Sequence, residues 1–173
     1  MRIFGIFFFY FFFGALVGDS VFADGNSTTY AARSEKQESP YSAPDTPHPR
    51  RIVSINLCTD ELLVRLVPPE RIAALSVHCA DPEVSTVSEE AREIPKIKGT
   101  VEEVHAAEPD LIVGGTFSNL ATIHFFQYSD TPVLVLGVPK SFEDIYANIR
   151  KLAEAVGETG KGEEMIGQMQ DEL

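Results

Sequence analysis

The sequence predicts an α/β fold, a parallel sheet flanked by helices as in a Rossmann-like lobe. Short apolar runs alternate with segments of helical spacing from residue 50 onward, which is the pattern of βαβ units. The runs are solidly apolar, as expected when helices cover both faces of the sheet. In such sheets ligands bind beyond the carboxyl ends of the strands, so the loops there are the first place to search for a site.

The predicted elements have recognisable boundaries. The strands are residues 51–55, 72–77, 111–114 and 133–136. The helices are residues 59–66, 100–107, 118–128 and 141–156, and a further one is predicted to begin near Glu163. Thr100 and Glu103 form a capping-box pattern, and Ser141 is a good N-cap. The polar segment 81–95 is predicted to be loop and short helix.

The first 23 residues are predicted to be a secretion signal. Arg2 precedes a continuous apolar run over 3–17, and cleavage is expected near Ala23. The run is shorter than the roughly 20 residues that span a bilayer, which disfavours a retained anchor. Residues 24–49 are rich in Ser, Thr, Pro and charge and predict a disordered leader. The mature chain is therefore expected in an exported, oxidising compartment.

The charge balance argues against a nucleic-acid partner. The chain has a formal net charge of −12. Proteins that neutralise phosphates need clustered Lys and Arg, and the sequence has no basic stripe.

Four loops are predicted to meet at the carboxyl edge of the sheet. They are residues 56–60, 78–81, 114–119 and 137–140. In the first loop Asn56 offers an amide, Thr59 a hydroxyl, and the helix N-terminus free N–H groups. Capping is a compatible role for the same residues: Thr59 or Cys58 would begin the helix, and Asp60 would interact favourably with its dipole.

Cys58 and Cys79 are the only cysteines of the chain. Each lies about three residues after a predicted strand, and the two strands are expected to be neighbours in the sheet. We favour a disulfide between them, because the compartment is oxidising. Two unpaired thiols are the first alternative. A soft metal site completed by His78 is the second, and no metal site is predicted.

Four stretches of the sequence carry a family resemblance. They are RIVSINLCTDELLVRL from residue 51, ERIAALSV from 70, KGTVEEVHAAEPDLIVGG from 98 and TPVLVLGVPKSFEDIYANIRKLAEAVG from 131. The third contains the pattern G-[ST]-x-E-x-[IV]-x-A-x-x-P-D-L over 99–111. Together they resemble the periplasmic substrate-binding proteins of ABC importers for cobalamin, ferric siderophores and haem.

The resemblance implies a protein without catalytic residues or a cofactor. Such receptors have two α/β lobes joined by a long helix, and they bind a metal chelate between the lobes. Residues 50–158 resemble the N-terminal lobe and 159–173 the start of the interlobe helix, with the second lobe absent. The distal part of that helix is then expected to have nothing to pack on. By its place in the motif, Glu102 would dock onto the permease subunits in the inner membrane. Its neighbour Glu103 is the residue most easily confused with it.

The four loops would then form one wall of a ligand cleft. The predicted wall residues are Asn56, Leu57, Cys58, Thr59, His78, Asp81, Thr116, Phe117 and Ser118. Asn56 and Leu57 are expected to be exposed there. Phe117 could stack on a corrin, porphyrin or catecholate ring, or it could be a core residue. Three other histidines are interpreted as surface or packing residues: His48, His105 and His124. Phe125 and Phe126 are interpreted as the buried stripe of their helix.

Two other functions are compatible with the sequence. A secreted α/β enzyme is the first, although no G-x-G-x-x-G, P-loop, nucleophile elbow or paired-His metal motif is present. The second is a non-binding, truncated remnant of a receptor.

Overall fold

The computed structural model describes residues 48–173. The predicted signal peptide and almost all of the predicted leader lie outside the described residues. Within residues 48–173, no helix has both the length and the apolar character needed to cross a membrane.

The described residues form five strands and five α-helices. The strands are β1 (Ile52–Ser54), β2 (Ile72–Ser76), β3 (Lys96–Ile97), β4 (Leu111–Gly115) and β5 (Val133–Leu136). The helices are α1 (Leu57–Leu66), α2 (Val101–Ala106), α3 (Leu120–Gln127), α4 (Phe142–Val156) and α5 (Thr159–Asp171). Two short 3₁₀ turns flank β2, at Pro69–Arg71 and Val77–Ala80.

The sheet has the order β3-β2-β1-β4-β5, and all of its neighbouring strands are parallel. This confirms the predicted α/β fold with a parallel sheet and the predicted neighbourhood of β1 and β2. The sequence pattern missed β3, because a two-residue strand has no measurable periodicity and one of its residues is Lys96. The central position of β1 places the loop after it in the middle of the carboxyl edge.

Helices cover the sheet and bury its apolar strands. One core cluster combines strand residues such as Val53 and Ile112 with Val104 of α2 and Ile123 and Phe126 of α3. The alternate strand residues, such as Ile52, point to the opposite face and are fully buried as well. Burial on both faces explains why the strands are apolar without alternation.

The motif over residues 99–111 has a structural explanation. Gly99 has a φ of +77°, a left-handed conformation that favours glycine, and its carbonyl accepts a 2.8 Å bond from the Thr122 hydroxyl. At the other end, the Asp110 carboxylate accepts from the backbone N–H groups of Arg50 at 2.7 Å and Arg51 at 2.9 Å. The motif therefore joins α3 to α2 and the start of β4 to the start of β1.

Helix α5 packs along α4. Its residues Met165, Ile166 and Met169 are buried. Arg150 of α4 makes a two-point ion pair with Glu163, with Nε–Oε1 at 2.6 Å and Nη2–Oε2 at 2.9 Å. The packed part of this helix reaches Met169, and residues 170–173 beyond it are exposed.

Gly162 sets how closely α5 approaches α4. A Cβ at this position would lie 2.6 Å from the Cβ of Ala153, closer than two carbons can pack. We expect Gly162→Leu to lower the free energy of unfolding by about 1–3 kcal/mol, because the helices must separate. Gly167→Leu is the matched control on the same helix, since nothing lies within 4 Å of its Cβ position. Urea unfolding of both variants checks this, and equal losses at the two positions would contradict it.

Candidate functional site

The loop after β1 begins α1 differently from the prediction. Asn56 is the N-cap, and its side-chain oxygen accepts a 3.0 Å bond from the Cys58 N–H. Thr59 is buried; its hydroxyl donates to the Asn56 carbonyl at 2.8 Å and lies 2.7 Å from the Ser54 hydroxyl. The prediction that Thr59 lines the cleft is therefore wrong, because both of its polar contacts are internal. Asn56 and Leu57 are partly exposed, and Cys58 is exposed.

Asp60 lies in the first turn of α1, as expected of a partner of the helix dipole, and it has a second role that the sequence did not predict. Its side chain is fully buried and accepts from Ser76 at the end of β2, with Oδ2 at 2.5 Å from the hydroxyl and Oδ1 at 3.3 Å from the N–H. Burial raises the pKa of Asp60 to about 7, only partly offset by the hydrogen bonds. Asp60 thus joins the start of α1 to the end of β2.

The loop after β4 is tied to the end of β1. The Ser118 hydroxyl is buried, accepts from the Gly115 N–H at 2.9 Å and donates to the Ile55 carbonyl at 3.3 Å. A Cβ at Gly115 would lie 3.1 Å from Cγ of Asn56, so a larger residue here would push the Asn56 amide away by a few tenths of an ångström. Ser118 was predicted to line the ligand cleft, but its buried hydroxyl instead connects the loop after β4 to the end of β1.

Thr116 and Phe117 form the exposed tip of the same loop. The Thr116 N–H and hydroxyl contact the Leu136 carbonyl at 3.2 and 3.4 Å, which joins the loop to β5. Phe117 is 85% exposed. The sequence allowed Phe117 to be either a core residue or a residue that stacks on a ligand ring. Its exposure excludes the core position and leaves the ring accessible for stacking.

The loops after β5 and β2 complete this edge. After β5, the Gly137 carbonyl accepts from the Asn148 side chain at 2.8 Å, and Val138 is half-exposed. After β2, His78 is exposed, as is Asp81, whose carboxylate accepts from the Glu83 N–H at 2.9 Å. The Asp81 carboxylate therefore stabilises the turn in which it lies, and it is also exposed to solvent.

The predicted disulfide is not present in the structure. Cys58 and Cys79 are both free thiols, the first exposed and the second buried. Cys79 points into the interior, where the Ser85 hydroxyl lies 3.9 Å from its sulfur, so the two thiols occupy different environments. Within residues 48–173, no three His, Cys, Asp or Glu side chains are grouped so that they could hold a metal ion.

We call the exposed surface of the four loops after β1, β2, β4 and β5 the carboxyl-edge wall. It exposes more apolar surface than the sequence reasoning identified. Its exposed large apolar side chains are Val77, Phe117, Leu120, Val138 and Phe142. Of these five only Phe117 was predicted to line the wall. Val77 was assigned to the end of a strand, and Leu120, Val138 and Phe142 sit at a helix start or in a turn where periodicity gives no signal. A search for apolar residues within a few positions of each strand end would have found them.

Glu102 and Glu103 have distinct surroundings at the start of α2. Glu103 is occupied by the capping box: its Oε2 accepts from the N–H groups of Lys98 at 2.9 Å and Thr100 at 3.2 Å. Glu102 is exposed, and hydrogen bonds from its own N–H and from the Thr100 hydroxyl hold its pKa below the usual range. Of the two carboxylates, Glu102 is therefore the one available to an external partner.

Other predicted positions have simple outcomes. His48, His105 and His124 are exposed. Phe126 is buried, but Phe125 is 53% exposed. The two rings meet edge-on with 5.1 Å between their centroids, so the pair is not one buried stripe.

A separate cavity of about 420 Å³ lies at the opposite, amino end of the sheet. It is lined by His105, Ala106, Glu108, Pro109, Phe126 and Thr131.

Solved structures of similar fold come from several bacteria. The periplasmic haem-binding protein RhuT of Roseiflexus sp. RS-1 is 23% identical, with a TM-score of 0.62 over 71% of this chain and 47% of that chain. A periplasmic binding protein from Veillonella parvula is 25% identical, with a TM-score of 0.60 over 73% and 44%. The vitamin B12-binding protein BtuF of Vibrio cholerae is 15% identical, with a TM-score of 0.57 over 71% and 48%. The chain therefore spans about half the length of each.

A search among curated proteins gives no match. The sequence model of the family described as periplasmic binding protein matches residues 52–173, most of the chain. All five strands, α1 to α5 and the carboxyl-edge wall lie within the matched residues. The chain belongs to the periplasmic binding protein family.

Proposed function

We propose that the chain is the substrate-binding component of an ABC importer. It captures a metal chelate (a ferric siderophore, cobalamin or haem) in the periplasm and delivers it to the permease. The family supports a substrate-binding role and a periplasmic location. The observation that carries the proposal is the carboxyl-edge wall, where loops from four adjacent strands are fixed to one another by internal hydrogen bonds and present exposed apolar side chains.

The wall has the features of a preorganised binding surface. Ser118 joins the β4 loop to β1, Thr116 joins it to β5, and Asp60 joins α1 to β2. The bonded groups face inward, which leaves Phe117 and Val138 directed to solvent. A rigid surface of this kind binds a ligand at a lower entropic cost than mobile loops would.

Titration with the three classes of chelate tests the proposal. The chain contains no tryptophan, so binding is best followed through the absorbance of the ligand. Saturable binding of haem, a cobalamin or a ferric siderophore is expected. Binding of none of them by a folded chain would contradict the proposal.

Glu102 is the proposed contact with the permease. We expect Glu102→Gln to slow association with the permease subunits by about ten-fold at low salt, because a rim ion pair mainly affects the association rate. Surface plasmon resonance with permease in nanodiscs measures this. Chelate binding should be unchanged, and thermal stability should fall only slightly, because the hydrogen bonds that lower the pKa of this carboxylate are exposed to solvent.

Glu103→Gln is the matched control on the adjacent residue. Its side chain serves the capping box, which Gln completes as well as Glu, so the variant should keep most of its stability and its association rate. A larger effect on association at Glu103 than at Glu102 would contradict the docking assignment.

A further inference from the structure

The cavity at the amino end of the sheet is separate from the carboxyl-edge wall. The ends of α2 and α3 and the segments before β4 and β5 surround a volume of about 420 Å³, within the range of about 300–1,000 Å³ that holds small organic molecules. Phe126, which is only 3% exposed, supplies its aromatic surface, and Phe125 supports that ring edge-on. The polar lining side chains are His105, Glu108 and Thr131. The cavity thus combines one aromatic ring with three polar groups.

The three polar groups have hydrogen-bonding capacity that the fold does not use. Within residues 48–173, neither the Glu108 carboxylate nor the His105 imidazole has a hydrogen-bond or ion-pair partner. Thr131 is bonded through its backbone, whose N–H donates to the Ser129 hydroxyl at 3.2 Å, and its own hydroxyl has no partner in this part of the chain. A carboxylate, an imidazole nitrogen and a hydroxyl can each accept a hydrogen bond. Three acceptors match the three N–H donors of a primary ammonium group, and the face of an aromatic ring attracts a cation.

Glu108 has a backbone conformation that glutamate rarely adopts. Its φ is +47°, and it is the only non-glycine residue with a positive φ in the described part of the chain. It directly follows the C-cap of α2, where glycine usually occupies this conformation without a steric cost. Arg51 holds the segment in place, because its Nε donates to the Glu108 carbonyl at 2.9 Å. A purely structural requirement would favour glycine here, so the presence of glutamate indicates a use for its carboxylate.

The charges at the cavity favour a cation. Its lining contains the Glu108 carboxylate and neither lysine nor arginine. Arg51 precedes β1 whereas Thr131 precedes β5, and these strands lie on opposite sides of β4. The Arg51 guanidinium is occupied by the carbonyls of Ala107 and Glu108. The carboxyl ends of α2 and α3, which carry partial negative charge, border the cavity, and the exposed Asp130 adjoins Thr131.

We propose that this cavity binds a small organic primary ammonium ion, with its N–H groups bonded to the three polar lining side chains and its apolar body against Phe126. The site goes beyond the proposed function, because it lies at the opposite end of the sheet from the carboxyl-edge wall. A carboxylate beside an aromatic ring distinguishes an ammonium ion from neutral or anionic molecules of the same shape.

Benzylamine is the probe, because it carries one primary ammonium group on one aromatic ring. Amide chemical-shift titration of the isotopically labelled 173-residue chain at neutral pH measures both affinity and location. Benzyl alcohol has the same body without the charge, and benzoate has the opposite charge. We expect saturable binding of benzylamine with a dissociation constant of about 1 mM, and binding of both analogues at least about ten-fold weaker. The shifts should concentrate at His105, Ala106, Glu108 and Thr131.

Two substitutions at Glu108 separate binding from folding. Glu108→Gln keeps the shape of the side chain and should weaken benzylamine binding about ten-fold. Glu108→Gly should abolish binding and raise the urea midpoint of unfolding, because glycine adopts the left-handed conformation without strain. Glu90→Gln is the matched control, since it removes an exposed carboxylate outside the cavity from a chain of net charge −12. It should leave binding unchanged.

Several results would overturn the inference. Equal losses of affinity from Glu108→Gln and Glu90→Gln would show only a general attraction of the amine to an acidic chain. Equal affinities for benzylamine and benzyl alcohol would show that the carboxylate selects nothing. Shifts centred outside the cavity, or no saturable binding of benzylamine by the folded chain, would contradict the site itself.

Discussion

Lowering the pH from about 8 to about 4.5 is expected to stabilise the fold through Asp60. Burial raises the pKa of this carboxyl to about 7 in the folded chain, whereas an aspartate in an unfolded chain titrates near about 3.9. The folded state therefore holds a proton that the unfolded state has lost over this interval. The contribution is complete below about pH 4 and falls as the pH rises towards 7. It amounts to at most about 4 kcal/mol.

The surroundings of Asp60 explain the sign of this effect. Ser76 donates to both carboxylate oxygens, and the neutral hydroxyl of Ser54 is a further hydrogen-bond partner. The charged neighbour Glu61 is itself acidic and raises the pKa further. The hydrogen bonds lower the pKa, but less than the loss of hydration raises it.

Asp60→Asn isolates the contribution of this one carboxyl. The variant keeps a neutral side chain of the same shape at every pH, so its stability should lack the part of the pH dependence that Asp60 supplies. Urea unfolding of both proteins across the range gives the difference curve, in which the other carboxylates cancel. Asp81→Asn, at an exposed aspartate, is the matched control. Parallel pH curves for the parent chain and Asp60→Asn would contradict the assignment.

Replacing Arg71 by Met is expected to lower the free energy of unfolding by about 2–4 kcal/mol. Its guanidinium donates to the Pro49 carbonyl at 2.8 Å, the Val156 carbonyl at 2.6 Å and the Glu158 carboxylate at 3.0 Å. The side chains of Arg71 and Glu158 are only 16% and 23% exposed, so solvent replaces these bonds poorly. The single residue connects the segment before β1, the turn before β2 and the junction of α4 with α5.

Two further variants distinguish the loss of these hydrogen bonds from the loss of a positive charge alone. Arg92→Met removes a guanidinium that is 71% exposed and lies 3.6 and 3.8 Å from Glu89 and Glu93, so it should change stability by less than about 0.5 kcal/mol. Arg71→Lys can keep the contact with Glu158 but not all three bonds, and it should fall between Arg71→Met and the parent chain. Equal losses from Arg71→Met and Arg92→Met in thermal or urea unfolding would contradict the account.

The sequence predicted the sheet because its strands are apolar on both faces and end at turns. It also placed Asn56, Leu57 and the Thr116–Phe117 tip at the carboxyl edge, since that location follows from strand order alone. It could not predict which polar residues turn inward. Asp60 and Thr59 lie on the first turn of α1 beside the exposed Cys58, and only the rotation of the helix against β2 decides which of them is buried.

Long-range contacts were beyond the sequence pattern for a similar reason. Nothing in the sequence around Gly115 indicates that the Asn56 side chain lies across it, because the contact joins residues far apart in the chain. The disulfide prediction was wrong because it also depended on a contact between distant residues. Proximity of two strand ends was inferred correctly, but the inward direction of Cys79 depends on the 3₁₀ turn that follows β2.

Binding of the ligand at the carboxyl-edge wall can be mapped residue by residue. Amide chemical-shift mapping of the isotopically labelled chain, titrated with whichever of haem, cyanocobalamin or a diamagnetic gallium siderophore binds, tests it most directly. We expect the shifts to concentrate at Asn56, His78, Phe117 and Val138, in the loops after four neighbouring strands. Shifts concentrated instead around the cavity of His105, Phe126 and Thr131, at the amino end of the sheet, would contradict it.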